Sequence, residues 1–293
     1  MSNPQAGIFA LGNVAHTYLE FDLKSGQNAT SLVAAVAGLD ELRTTTSGVN
    51  VVMGFRPELW STIAPTPAQL DGFNAPIVGS DGFTMPATQH DLAAWIAGAS
   101  YDVVFDAARG TIAAIGLVAE VASEVVGWSY HHDLDLTGFI YGTENPSLSE
   151  APEVVLVPKG LPAAGGSVLL LQQWVHRTDA WTALDVEEQE QVIGRAKPDS
   201  LELDPQPPAS HVARTDQDTF GHIFRRNTAY GSVTDHGTMF VGFCADQGPL
   251  DAMLQAMAGI GGARDELTRY STPLTGAYYF VPSLDDLRVT PER

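Results

Sequence analysis

The chain has 293 residues, 44% of them hydrophobic, enough to bury substantial cores and, at roughly 100 to 200 residues per domain, to suggest two domains. A formal net charge of −20, from 15 Lys and Arg against 35 Asp and Glu, repels phosphate backbones and anionic membranes and argues against nucleic acid as a partner. Cys244 is the only cysteine, which excludes an intrachain disulfide and a thiolate-rich metal site and suits a reducing compartment.

From the N-terminus, Met1-Ser-Asn-Pro-Gln-Ala-Gly7 lacks a basic region followed by an apolar run of signal-peptide length. No segment approaches the ~18 uninterrupted apolar residues that span a bilayer. The expectation is a cytoplasmic protein without a membrane partner. Residues 16–24 alternate apolar and polar as a half-buried strand does, and the Ala/Leu-rich run from Thr30 to Arg43 predicts a helix. A second strand fits Val49 to Phe55, and Pro57 to Trp60 reads as a helix start with proline in its first turn. Two helix-like stretches, His90 to Ala99 and Ala107 to Val121, flank the apolar run Tyr101 to Phe105.

Between Ser147 and Ala164 the composition shifts to Pro, Glu and small residues, and Gly165-Gly166 introduces the apolar run Ser167 to Trp174. That marks a domain boundary, with one domain over 1–150 and another over 151–293. The second half reads as a strand over 167–175, a helix from Val186 to Arg195 and strands over 222–230 and 237–245. A helix from Pro249 to Ala258 and a strand from Ala277 to Val281 complete it. This β-α-β-β-α-β order is that of a ferredoxin-like unit, and the first half is compatible with the same plan. The expected fold class is α+β, two ferredoxin-like domains packed together.

The segment Asp135-Leu-Thr-Gly-Phe-Ile-Tyr-Gly-Thr-Glu-Asn-Pro146 is the most distinctive in the chain. Gly138 and Gly142 bracket a tight turn and allow backbone to approach a flat ligand, because glycine tolerates positive φ and carries no side chain. In Ile223-Phe-Arg-Arg-Asn227, strand alternation places Arg225 and Asn227 on one face and Arg226 on the other. On residues alone this run is equally a solvated strand edge, and His211 reads as a loop histidine capping a turn. His222 and His236 suit surface or turn roles. The pair His131-His132 would point to opposite faces of a strand and so ligate one ion poorly.

The 135–146 segment closely resembles Gly-Phe-x-Asp-Gly-Thr-x-Asn-Pro of the dye-decolourising peroxidase (DyP) family, with Tyr141 where the family carries Asp. His211-Val-Ala-Arg-Thr-Asp216, Ile223 to Gly231, Gly242-Phe-Cys-Ala-Asp246 and Thr275 to Ser283 match the pattern of the bacterial B-type members in order and spacing. Ala229 departs from it, since proline is common there. The resemblance implies a haem peroxidase that uses hydrogen peroxide to oxidise dyes, phenols and similar donors through a ferryl intermediate. It implies His211 as the iron ligand and Arg225 as the distal cation, with Asn227 holding a distal water. Gly142, Thr143, Glu144 and Arg225 would lie against the cofactor. Arg226 is expected at the surface or on a haem propionate. An acidic partner is expected for His211, with Asp265 and Glu266 both available. The cofactor is haem b, held non-covalently, since no Cys-x-x-Cys-His occurs. A homo-oligomer is expected, and no obvious encapsulin cargo tail follows Leu287.

Tyr141 supports three readings. A phenol with an ordinary pKa near 10 is a donor and a poor base, so the ferryl intermediate would form slowly. It could instead relay oxidising equivalents as a radical, or ligate the iron as phenolate. Two rival functions stand beside the peroxidase: a haem-binding or haem-handling protein with weak peroxidase activity, and an oligomeric scaffold without haem.

Overall fold

Most strands in this chain are apolar runs whose side chains alternate between two buried faces, and the computed structural model, describing residues 3–39, 48–131 and 134–288, shows what each face meets. In the first half, β1 (Ala15–Leu23) leads to α1 (Ala29–Ala37), β2 (Val49–Phe55), β3 (Leu92–Gly98), α2 (Tyr101–Ile115) and β4 (Ala119–Trp128). The sheet order is β2-β3-β1-β4, all antiparallel, which is the ferredoxin-like arrangement. Asn28 caps α1 by accepting from Ser31 N, and Ser31 Oγ returns the bond to Asn28 N.

The second half repeats the plan with β5 (Ser167–His176), α3 (Val186–Ile193), the short α4 (His211–Arg214), β6 (Thr228–Gly231), β7 (His236–Cys244), α5 (Gly248–Met257) and β8 (Ala277–Val281). Its order, β8-β5-β7-β6, again places the first and third strands in the middle. The two sheets join at both edges, through Phe280 against Phe55 and through Gly127 and Trp128 against Tyr230 and Ala229. Eight strands therefore close into a ring, leaving neither outer strand of either sheet as a free edge.

Period-two alternation decides what fills the ring. Leu169 and Leu171 point inward with Tyr18, Val52, Trp95, Val241, Phe243 and Tyr279, while Leu170 and Trp174 point outward to pack under the helices. The outer face of the second half, between its strands and α5, is where the candidate site lies.

Three expectations change. His90 to Ala99 is not a helix: Leu92 to Gly98 are all buried between β1 and β2, and pairing on both sides overrides the helix propensity of an alanine-rich run. The helix expected at Ala107 to Val121 starts at Tyr101 and ends at Ile115, and β4 begins four residues later at Ala119. The strand expected over 222–230 is broken at Arg226-Asn227 into Phe224–Arg225 and β6. Residues 40–43 of the expected first helix and His132 lie outside the described residues.

Candidate active site

A cleft enclosing about 1380 Å³, counting its open mouth, lies between the outer face of the second sheet, α4, α5 and the 135–146 loop. His211, Tyr141, Gly142, Thr143, Glu144, Arg225 and Asn227 all line it.

His211 is the first residue of α4, whose N-cap Ser210 accepts from Ala213 N. Its Nδ1 lies 2.7 Å from Asp265 Oδ2. Asp265 is fully buried, and its Oδ1 accepts from Leu267 N at 2.9 Å as the cap of the short turn Glu266–Arg269. A carboxylate so fixed holds Nδ1–H as the donor and leaves Nε2 as the ring's lone-pair nitrogen. Of the two acidic partners expected for His211, the structure selects Asp265. Glu266 instead pairs with Arg269.

Arg225 is set by a side chain that sequence reasoning did not assign. Asn145 Oδ1 accepts from Arg225 N at 2.9 Å and Asn145 Nδ2 donates to Arg225 O at 2.8 Å, so the amide substitutes for a neighbouring strand. Gly142 makes room for it: at φ +72° a Cβ there would meet Asn145 Nδ2 at 2.9 Å. Burial pushes the Arg225 guanidinium below its ordinary pKa; Glu144 opposes that and Arg195 adds to it. Its Nε has no hydrogen-bonding partner among the described residues, and neither has Gln172 Nε2 on the same cleft. Buried donors of this kind are ones a bound ligand would satisfy.

Glu144 Oε1 pairs with Arg195 Nη2 at 2.6 Å, and Arg195 also reaches Glu202 at 2.7 Å. Asn227 Oδ1 accepts from Val241 N at 3.1 Å, fixing which end of the amide faces the backbone. Tyr141 lines both the cleft and a small adjoining cavity with Asp135 and Asn227, close enough to Tyr18 and Arg226 to act electrostatically on both.

Two models of one family match nearly the whole chain, the N-terminal part of Dyp-type peroxidase over residues 5–129 and the C-terminal part over 132–286. The chain belongs to the Dyp-type peroxidase family. It is 34% identical over 292 residues to a dye-decolorizing peroxidase of Brevibacterium linens, covering 93% of this chain and 79% of that protein. A dye-decolorizing peroxidase of Mycobacterium tuberculosis is 33% identical, with 89% and 81% covered. Among solved structures, DyPB from Rhodococcus jostii RHA1 superposes with a TM-score of 0.89 at 33% identity, covering 99% of this chain and 98% of that one. A variant of DypB solved in complex with heme gives 0.88 at 33% identity, with 98% of each chain covered.

In this Dyp-type peroxidase the residues singled out from sequence, Tyr141, Gly142, Thr143, Glu144, His211, Arg225 and Asn227, are brought to one cleft. Arg226 departs from expectation. It is neither at the surface nor on the cleft but inside the ring, donating to Ile8 O at 2.7 Å and to Ala10 O, with its guanidinium 5.3 Å from the Trp95 ring. Alternation from Arg225 turns it inward, and two carbonyls and a π face compensate its burial. Arg195 and Gln172 were missed; an arginine after a helix-ending glycine and a glutamine within an apolar strand carry no local signal.

Proposed function

We propose that the protein is a haem b peroxidase that oxidises dyes, phenols and similar donors, with His211 as the iron ligand. Membership of the Dyp-type peroxidases makes the chain a haem-dependent enzyme using hydrogen peroxide. The observation that carries the assignment of residues is the His211–Asp265 pair: a buried carboxylate orienting one imidazole nitrogen in a cleft that also presents Arg225, whose buried Nε has no hydrogen-bonding partner among the described residues. An imidazole oriented by a buried carboxylate, two orphaned donors and a mainly apolar cleft suit a flat iron porphyrin. Bound haem supplies the iron at which peroxide binds and the electrons that cleave its O–O bond.

The chain's own residues manage charge and protons. Arg225, always protonated, stabilises negative charge on the peroxide as the O–O bond breaks but cannot pass a proton readily. Asn227, its oxygen fixed by Val241 N, orients water or peroxide through its amide. Gly142, Thr143 and Glu144 border the cofactor, and the Glu144–Arg195 pair holds that border. Tyr141 donates a hydrogen bond well and accepts a proton poorly, so as the acid–base group it slows the first step with peroxide. The half over 1–150 supplies the Tyr141 loop and the half over 151–293 the iron ligand, and the protein assembles as a homo-oligomer in the cytoplasm.

Haem-loaded protein mixed with peroxide at acidic pH is expected to oxidise an anthraquinone dye and a small phenol. A haem-loaded protein that turns over neither would favour the haem-handling alternative. Stopped-flow mixing with peroxide is expected to show faster initial spectral change for Tyr141→Asp than for wild type; an unchanged or slower rate contradicts the role given to the phenol.

A further inference from the structure

We propose that Asp135, wired through Thr238 to His176, is the carboxylate that takes up and returns the peroxide proton in this protein, the task that Tyr141 serves poorly. The proposal rests on the peroxidase reading and names a group outside the residues assigned above. Asp135 lines the cleft and, with Tyr141 and Asn227, the small cavity beside it. Its Oδ1 accepts from Thr137 N at 2.9 Å and its Oδ2 accepts from Thr238 Oγ1 at 2.6 Å. Thr238 Oγ1 lies 3.0 Å from His176 Nε2.

The direction of this chain follows from counting protons. A hydroxyl has one to give. With Asp135 ionised, Thr238 donates to the carboxylate and accepts from His176 Nε2–H. With Asp135 protonated, the carboxyl donates to Thr238, which donates to His176 Nε2 while the ring carries its proton on Nδ1. Both states keep the Asp135–Thr238 and Thr238–His176 hydrogen bonds and differ by the one proton on Asp135, while the ring gives up its Nε2 proton and takes one at Nδ1 by exchange with solvent.

His176 suits the outer end of the wire. Burial lowers its pKa, Asp135 opposes that and His236 adds to it, which favours the neutral ring, the form that has two tautomers. His236, the first residue of β7, acts on His176 electrostatically and is itself held by Thr178 Oγ1 at 2.6 Å and Ser232 O at 3.1 Å. Among the described residues, the titratable and charged groups that share the cleft and small cavity with Asp135 or act on its partner are His176 on β5, His236 on β7, Tyr130 and Tyr141 beside the small cavity, and Arg225, Glu144, Arg195, His211 and Tyr270 on the cleft.

In the step itself, one O–H bond of hydrogen peroxide breaks and an O–H bond forms on the Asp135 carboxylate. That proton then attaches to the far oxygen, which leaves as water. Only protons move through the wire; the electrons are those the peroxidase reaction already supplies.

Cyanide binding by the ferric haem-loaded protein tests this without turnover, because hydrogen cyanide must give up its proton as it binds. The Soret shift is followed by stopped flow from pH 4 to 8 in wild type, Asp135→Asn, Thr238→Val, Thr238→Ser and Tyr141→Phe. Asparagine retains the acceptor for Thr137 N, so the turn persists while the base is lost. The association rate is expected to fall at least about tenfold in Asp135→Asn, with loss of its rise between acid and neutral pH. Thr238→Val is expected to slow it and Thr238→Ser to restore it, while Tyr141→Phe lowers it less than Asp135→Asn does. If Asp135→Asn retains the wild-type rate and pH profile, or Thr238→Val and Thr238→Ser behave alike, the proposal is overturned. Should Asp135→Asn lose haem, the Thr238 pair alone decides it. A wild-type protein with no Soret band would instead sink the peroxidase reading and this proposal with it.

Discussion

The wall behind Tyr141 contains a buried histidine whose titration sets an acid limit on the fold. His16 is 4% exposed inside the strand ring, stacked with Tyr18 and Trp95 at centroid distances of 6.3 and 6.0 Å. Its Nδ1 accepts from Trp95 Nε1 at 3.1 Å, and its Nε2 faces Asn13 O at 3.3 Å, which together require the neutral Nε2–H tautomer. Burial lowers its pKa from 6.5 to about 4, opposed by the Asn13 bond and reinforced by Arg226. Because the folded value lies below the unfolded one, this stabilisation is full above pH 6.5 and is lost as pH falls through about 4. At about 1.4 kcal/mol per tenfold change, the whole effect is roughly 3 kcal/mol, and most of it is gone by about pH 4.5. His16→Gln can accept and donate but cannot titrate. Urea unfolding of haem-loaded wild type and variant at pH 7 and 4.5 is therefore expected to show wild type losing about 2 to 3 kcal/mol more than the variant between the two conditions. Equal losses would refute the reasoning. Dye oxidation assayed at acidic pH meets this limit directly.

Asp265→Asn removes the charge that orients His211 and is expected to weaken haem retention about 10- to 100-fold, measured by haem transfer to an apo-globin acceptor; unchanged retention contradicts the pairing. Arg225→Leu is expected to keep the Soret band but slow the reaction with peroxide by about 10²- to 10³-fold, and a loss under about threefold would remove the guanidinium from the mechanism. Cys244 is buried, and burial pushes its thiol up to about 11. A thiol reagent at pH 7 is expected to label it only after unfolding, so rapid labelling of native protein would contradict its placement.

The parts legible in the sequence were those with local cause. β2 and β8 occupy the residues that their apolar runs marked, Val49–Phe55 and Ala277–Val281. The positive φ of Gly138 and Gly142, +84° and +72°, follows from a turn that other residues strain to adopt. β3 was misread because Ala and Leu favour helices locally, whereas what decides Leu92–Gly98 is a strand on either side of it. Closure of the ring rests on three residue pairs between distant strands, which no periodicity announces. In the site, alternation separated Arg225 from Arg226 but could not say that the second faces Trp95 rather than solvent. The Asn145 clamp and the Asp135–Thr238–His176 wire join residues 80, 103 and 62 positions apart, so only the folded chain reveals them.

The central claim is that His211, oriented by Asp265, holds haem in the cleft and makes the protein a peroxidase. Its most direct test is the absorption spectrum of wild type and His211→Ala, each reconstituted with haem b, before and after addition of peroxide. Wild type is expected to show a Soret band that changes with peroxide, and His211→Ala a shifted or lost band without that change. Identical spectra and identical peroxide responses in the two proteins would contradict it.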